Sequence, residues 1–598
     1  MKKYLCLILA CCTAACMLSG CGKTSDDPDT SSGSNAVTTA PAVVQSVPAV
    51  SDGDMFTNRD LKGETGVQTI SIRFDNDVPV CSSPAVSISG TTVTILQEGC
   101  YTLSGNAADG CVIVDTNDNA KVQLLLDNLT LNRKAGAPVY VRSADKVFIT
   151  LPDGSNSTLS CEDILSTEDD TIDGAIFSKS DLTINGSGTL TISSAAGHGI
   201  VCKDDLVFTG GNHIITSASH GIDANDSIRI TNTGITINAG KDGIHTENND
   251  DSALGFVYIS NGTFDINAQG DGISTGSYMN IKDGTFQILA GGGYENGEQK
   301  SSNQWGDFMG GGMGGGRPGH RAAEIPTTST TDDSTSMKGL KAGGSLLITG
   351  GDFRLDTADD TLHGAVIDIQ GGTFRLDSGD DGVHADQTLT ITDCDMEISH
   401  SYEGLEAKDI AISGGLIKLK ATDDGLNAAG GNDGSGMSGG RDMMFGDGRP
   451  GGMQGNATGS ITITGGSIII NASGDGIDAN GTLLISGGYV CVSGPTVGDT
   501  ATLDYDISAE ITGGTFIGTG AANMAQTFSS STQGVIAVTV GNQPAGTTIT
   551  LSDNDGNLII SHTSELNYGV VILSTFNIKK GETYTITVGT ETASFEAY

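Results

Sequence analysis

The chain is 598 residues long, with 87 glycines, 5% aromatic residues, and 72 acidic against 30 basic residues for a net charge of −42. That length exceeds one ordinary compact core and points to several domains or one elongated repeat. Glycine without a Gly-X-Y period excludes collagen, and so acidic a chain with scattered basic residues excludes nucleic acid and favours cations, or ligands reached through cations.

The first residues, MKKYLCLILACCTAACMLSGC, give a short basic start, an apolar run too short to span a bilayer comfortably, and a small-residue exit. That is the pattern of a cleaved export signal over 1–20. Leu18-Ser19-Gly20-Cys21 resembles a bacterial lipobox. It implies lipid attachment at Cys21 and an anchored position on the extracellular face of a bacterial membrane, with that anchor as the sole membrane contact. Residues 21–66 are rich in Ser, Thr, Asp, Pro, Ala and Val and read as a flexible tether. Beyond the anchor seven cysteines remain, Cys81, Cys100, Cys111, Cys161, Cys202, Cys394 and Cys491. They are far apart, odd in number and lack C-x-x-C spacing, so packed thiols are expected rather than a zinc site or a disulfide framework.

Residues 69–165 alternate apolar and polar positions (VSISGTTVTIL, KVQLLLDNLTL) in coils less regular than those that follow, as at the capping end of a solenoid. The regular part is then set by a turn glycine. The residue after it reads Ile200, Ile222, Ile244, Ile273, Leu340, Leu362, Val383, Leu405, Leu426, Ile477. Spacing is 21 or 22 residues wherever no insertion intervenes. A second landmark follows 11 or 12 residues on, as in TGGDF at 349, QGGTF at 370 and TGGSI at 464. Between landmarks lie short alternating strands in the same order in every repeat. Hairpins cannot produce that order; a parallel β-helix can. The expected fold is therefore all-β, a right-handed parallel β-helix of about 21–22-residue coils over 67–534. Its turn glycines are expected to supply the left-handed backbone that corners need.

Adjacent coils lie about 4.8 Å apart, so each position stacks in a column. Just before the turn glycine the column reads Asp242, Asp271, Lys338, Asp360, Asp381, Glu403, Asp424, Asp475, preceded by Asp359, Asp380 and Asp423. Two after the glycine it reads His245, Ser274, Lys341, His363, His384, Glu406, Asn427, Asp478. Carboxylates at coil spacing repel by about 3–4 kcal/mol at an effective dielectric near 20. Ca2+ takes six to eight oxygens at about 2.3–2.6 Å, and twice that bond length is about the coil spacing. Turn chemistry accounts for one acid per coil but not two, and not for Glu403 and Glu406. Ca2+ between the coils is therefore expected, with Asp242, Asp271, Asp359, Asp360, Asp380, Asp381, Glu403, Glu406, Asp423, Asp424, Asn427, Asp475 and Asp478 as its ligands. The stacked histidines read better as surface stacking than as a zinc site.

Insertions near 291–335 and 430–457 are Gly/Met-rich and share GRPG. They read either as flexible linkers or as a lid over the acidic ridge, with Arg317, Arg441 and Arg449 as ligand contacts beside Lys341, His363 and His384. From 535 the repeat gives way to hairpin-forming strands with an NDGN turn, a C-terminal β module or cap over 535–598.

The D-D-G-[LIV]-[HN] turns, the G-G-T-F landmarks, the GRPG loops and the KKGETYTITVG segment together resemble a family of bacterial calcium-binding, pectate-lyase-like β-helix carbohydrate-binding domains. The resemblance covers roughly 69–598 and breaks at Lys338, Lys341 and Thr361. It implies bound Ca2+, no established lyase activity, and acidic, uronate-rich polysaccharide such as polygalacturonate as the partner of a monomeric chain. The single tryptophan, Trp305, favours an ion-mediated contact over aromatic stacking. Two other readings stay open. One is a calcium-dependent pectate-type lyase with Lys341, Lys338, Arg354 or Arg375 as base or charge stabiliser. The other is an adhesin that its ions merely rigidify.

Overall fold

The computed structural model describes residues 50–62, 68–164, 169, 171–297, 336–428, 459–496 and 500–598. Cys21, Arg317, Arg441, Arg449, the export signal and most of both insertions lie outside the described residues.

Among the described residues, strands dominate and 45 of them join one sheet. A coil contains three short strands, such as His198–Cys202, Asp205–Phe208 and Asn212–Ser217. Each pairs in parallel with the strand of the same rank in the next coil: Ile200 faces Ile222, Leu206 faces Ile228, and Ile215 faces Ile237. The later pairs Leu362–Val383 and Val383–Leu405 keep the step at 21 and 22 residues. The aliphatic column after the turn glycine, Ile200 through Ile477, is wholly buried. It forms part of one continuous core that includes a stack of Phe264, Phe286, Phe353 and Phe374, with rings 4.6–4.7 Å apart. Six of the seven cysteines of this part are buried, five of them within hydrophobic clusters.

The turn glycines work differently from the expectation. Left-handed backbone falls on the second glycine of the other landmark, as at Gly372 (φ 111°). The glycine of the acid turn is needed for close approach: a Cβ on Gly382 would sit 2.6 Å from the Gly404 carbonyl oxygen of the next coil. Thr361, the exception in that column, donates its hydroxyl to the Gly382 carbonyl instead.

Residues 50–62, assigned by composition to the tether, are docked on the coils. Two short helices, Asp52–Met55 and Asn58–Leu61, place Met55 and Phe56 against Val207, Phe256 and Tyr258. Asp60, 1% exposed, accepts from Thr183 Oγ1 at 2.7 Å and pairs with Lys146 Nζ at 2.9 Å. Composition misses this because isolated contacts, Met55, Phe56 and the buried Asp60, hold the segment rather than an apolar run.

At the other end Tyr568–Ser574 pairs antiparallel with both Thr515–Gly520 and Val535–Gln543, which ends the parallel stacking. Four further strands form a separate antiparallel sheet. Its core includes Ile549, Leu551 and Ile586 together with Cys491 and Ile517 of the last coils.

Candidate metal centre

The acidic columns stack as the repeat requires. His363, His384, Glu406, Asn427, Asp478 and Asp504 are successive register partners. The column before the glycine is tied by the backbone, since Gly339, Thr361, Gly382, Gly404 and Gly425 donate their N–H to the carbonyls of Asp360, Asp381, Glu403, Asp424 and Asp475.

One side-chain pattern was not legible beforehand. Six aspartates of this column turn one oxygen towards the backbone N–H of the same position in the next coil, Asp475 doing so towards Ala501, whereas Glu403 does not. Asp242 Oδ1 accepts from Asp271 and Asp271 Oδ1 from Lys338, both at 2.8 Å. Asp360 and Asp381 accept from Asp381 and Glu403 at 3.1 Å, and Asp424 accepts from Asp475 at 2.5 Å. A short acceptor thus serves most rungs, which is a structural reason for Asp there. It is missing at the rungs of Lys338 and Glu403, and in the first case the Asp360 N–H turns to Asp359 Oδ1 instead. The second oxygen is left to meet a cation.

At Asp271, Asp360 and Asp381 the second oxygen meets a basic side chain. Asp271 Oδ2 faces Lys341 Nζ at 3.4 Å. Lys338 is 1% exposed and reaches Asp359 Oδ1 at 2.8 Å and Asp360 Oδ2 at 2.6 Å. His363 Nδ1 shares that Asp360 oxygen at 2.9 Å. His384 Nδ1 lies 2.9 Å from Glu406 and 3.2 Å from Asp381. Burial alone would lower the His384 pKa, but its hydrogen bonds to Asp381 and Glu406 raise it well above the usual histidine range. His384 is fully buried among these acids, and His363 is turned onto Asp360.

From Glu403 onward the pattern changes. Asp424, Asp475 and Asp478 bring carboxylate oxygens within 4.8 Å of one another. Among the described residues, no basic side chain forms an ion pair with Glu403, Asp424, Asp475 or Asp478. Asn427, 4% exposed, donates Nδ2 to Glu403 Oε2 at 2.8 Å, while its Oδ1 is buried with no hydrogen-bond partner. The consequences are electrostatic. Burial, and then the charges of Glu406, Asp381 and Asp424, push Glu403 well above the usual carboxylate range. Burial and the neighbouring aspartates do the same to Asp424. Asp475 is pushed up to about 7 and Asp478 to about 6, burial being the first cause of both. Such a group must hold protons or a cation. Carboxylates plus an orphaned amide oxygen, with no sulfur and no nitrogen ligand, fit a hard divalent cation such as Ca2+.

The remaining expected ligands are placed as follows. Asp359, Asp360 and Asp380 bring oxygens together, as do Asp381, His384 and Glu406, but Lys338 and His384 sit within these groups. Asp242 and Asp271 fall outside every such group among the described residues: their column continues into Lys338, and the column two after the glycine carries His245, Ser274 and Lys341 rather than acids at these rungs. Asp423 is engaged by the Tyr402 hydroxyl. An aromatic pair also went unread: the Tyr294 ring stacks on His400 with centroids 4.3 Å apart, just ahead of Glu403 in the chain.

Residues 89–382 and 364–451 match the model of the family described as carbohydrate-binding domain-containing protein. The chain belongs to that family. A protein of the same description from Acetivibrio thermocellus is 36% identical over 152 residues, which cover 25% of this chain and 53% of that protein. The chain thus spans about half the length of this curated relative. A solved structure described as the polysaccharide lyase-like protein from C. thermocellum, in a gadolinium derivative, is 34% identical. It matches 38% of this chain and 92% of its own with a TM-score of 0.37. Family membership rests on the first of these matches, which runs from residue 89 past the rung of Asn427.

Proposed function

We propose that this chain is a lipid-anchored surface protein, attached through Cys21, that binds acidic, uronate-rich polysaccharide without cleaving it. In this reading Ca2+ is held between rungs of a right-handed helix of coils. The observation that carries it is the group of Asp424, Asp475 and Asp478, with Glu403 and the orphaned Asn427 Oδ1 beside it and no basic partner among the described residues. These five residues would hold the ion, and calcium when bound supplies positive charge that glycan carboxylates can share. Family membership supports carbohydrate as the partner class. The protein's own contribution is to fix the donors: backbone bonds between coils set the rung spacing, and the Asp424–Asp475 side-chain ladder orients each carboxylate.

Lys338, a candidate base in a lyase reading, has its ammonium held by two carboxylates. Arg375 pairs with Asp395 and Glu397 on the outer face. Both observations favour binding over cleavage. The test is a glycan array with polygalacturonate and neutral glycans, run in calcium and in EGTA. Binding of the uronate polymer that disappears in EGTA supports the reading. Binding unchanged in EGTA points to an adhesin with incidental ions, and growth of absorbance at 235 nm on polygalacturonate would identify a lyase instead.

A further inference from the structure

The ridge is neutralised in two different ways along its length. Before Glu403 three carboxylates of the column, Asp271, Asp360 and Asp381, have a basic side chain within reach: Lys341 at Asp271, Lys338 and His363 at Asp360, His384 at Asp381. From Glu403 to Asp478 no such side chain pairs with Glu403, Asp424, Asp475 or Asp478 among the described residues, and Asn427 Oδ1 is left buried without a donor.

Lys338 stands in the column where its neighbours carry acids, and its stem passes to the following rung. There its ammonium lies 2.8 Å from Asp359 Oδ1 and 2.6 Å from Asp360 Oδ2. A third carboxylate, Asp380, offers an oxygen within 4.8 Å of oxygens of those two. Three hard oxygens at that separation are a partial coordination set for a large divalent ion. With the ammonium present, a second cation in the same space would be repelled; without it, buried carboxylates would be left uncompensated.

We propose that Lys338 is a resident cation standing in the place of a divalent ion, so that ions bind only from Glu403 onward and loss of the Lys338 charge opens one further site among Asp359, Asp360 and Asp380. The inference rests on the calcium reading above.

The test uses the whole chain, with Ca2+ alone as the probe. Equilibrium dialysis in millimolar calcium followed by elemental analysis counts ions per chain for wild type, Lys338→Ala and Lys338→Arg. Lys338→Ala should hold one ion more than wild type, and Lys338→Arg the same number. A folded Lys338→Ala with the wild-type count overturns the inference. A wild type that binds no calcium instead overturns the reading it rests on. Hydrogen exchange of the wild-type chain decides the matter should Lys338→Ala not fold. Chelator should speed exchange in Leu426–Ala428 and Ile477–Ala479 and leave Leu362–Ile369 and Val383–Ile391 unchanged. Equal acceleration in all four strands, or in none, overturns it.

Discussion

Asp381 accepts the backbone N–H of Glu403 through Oδ1 at 3.1 Å, and so spends half of its carboxylate on holding two coils together. Asp424 does the same for Asp475 but has no basic partner for its other oxygen among the described residues. The two functions of such a residue, acceptor and charge, can therefore be separated by substitution. In chelator, Asp424→Asn keeps an acceptor for Asp475 and removes one repelling charge, so its melting temperature should rise above wild type. Asp424→Ala leaves the Asp475 N–H unsatisfied and should lose about 1–3 kcal/mol. Melts in EGTA, followed by circular dichroism, give both values. In calcium the order should reverse for Asp424→Asn, because a ligand is gone.

The raised carboxylates predict the pH dependence of the metal-free protein. Glu403 and Asp424 are raised well above the usual range, Asp475 to about 7 and Asp478 to about 6, in each case with burial as the first cause. A group whose folded pKa exceeds its unfolded value stabilises fully below the unfolded pKa and loses that contribution as pH rises through the folded one. In EGTA, stability should then fall between about pH 4 and pH 8, with each group contributing a slope of up to about 1.4 kcal/mol per pH unit. Calcium should flatten the profile above pH 6, since the ion replaces the protons. Melting temperature against pH, with and without chelator, is the measurement. A metal-free protein most stable at pH 8 would contradict it.

Much of this architecture is readable from the sequence, because stacking one coil on the next turns period into position. The aliphatic column from Ile200 to Ile477, the paired acids and the register of His384 with Glu406 and of Asn427 with Asp478 all follow from aligning turn glycines. What did not follow depends on side-chain direction. Alignment places Lys338 among the acids but cannot say that its ammonium reaches Asp359 and Asp360 of the next rung. Nor can it say that Asp242 Oδ1 is used by Asp271 N–H. Asp60 escaped for another reason: it lies in a segment without apolar periodicity and is buried by partners more than 80 residues away, Lys146 and Thr183.

That segment gives a third prediction. Asp60 is held down to about 2 against its own burial by hydrogen bonds from Thr57, Thr183 and Lys146. A depressed carboxylate stabilises above its unfolded pKa and loses that contribution as pH falls through the folded value. Docking of residues 50–62 should therefore hold at neutral pH and weaken below about pH 4. Asp60→Ala leaves Lys146, with a side chain 12% exposed, facing a buried vacancy in place of its partner. Loss of one member of a buried pair costs about 3–5 kcal/mol. Limited proteolysis should cut the variant within 50–62 at pH 7 while the coils survive, and Asp60→Asn should be cut at an intermediate rate.

The last prediction concerns Thr361, which replaces glycine in the column of closest approach between coils. A Cβ at Gly382 would lie 2.6 Å from the Gly404 carbonyl oxygen and 2.6 Å from Ile398 Cδ1, so Gly382→Ala must displace backbone. That overpacking should cost about 1–3 kcal/mol. At Thr361 the hydroxyl donates to the Gly382 carbonyl, which turns the same crowding into a bond. Thr361→Ser keeps the donor and should stay within about 1 kcal/mol of wild type. Thr361→Val keeps the shape but sets a methyl group against a buried carbonyl, and should cost about 1–3 kcal/mol. Urea unfolding in calcium separates the three variants by their midpoints. If Thr361→Val matched wild type while Gly382→Ala did not, the hydroxyl would have no part in accommodating the side chain. The rung would then owe its fit to a local widening that a glycine at position 361 would relieve.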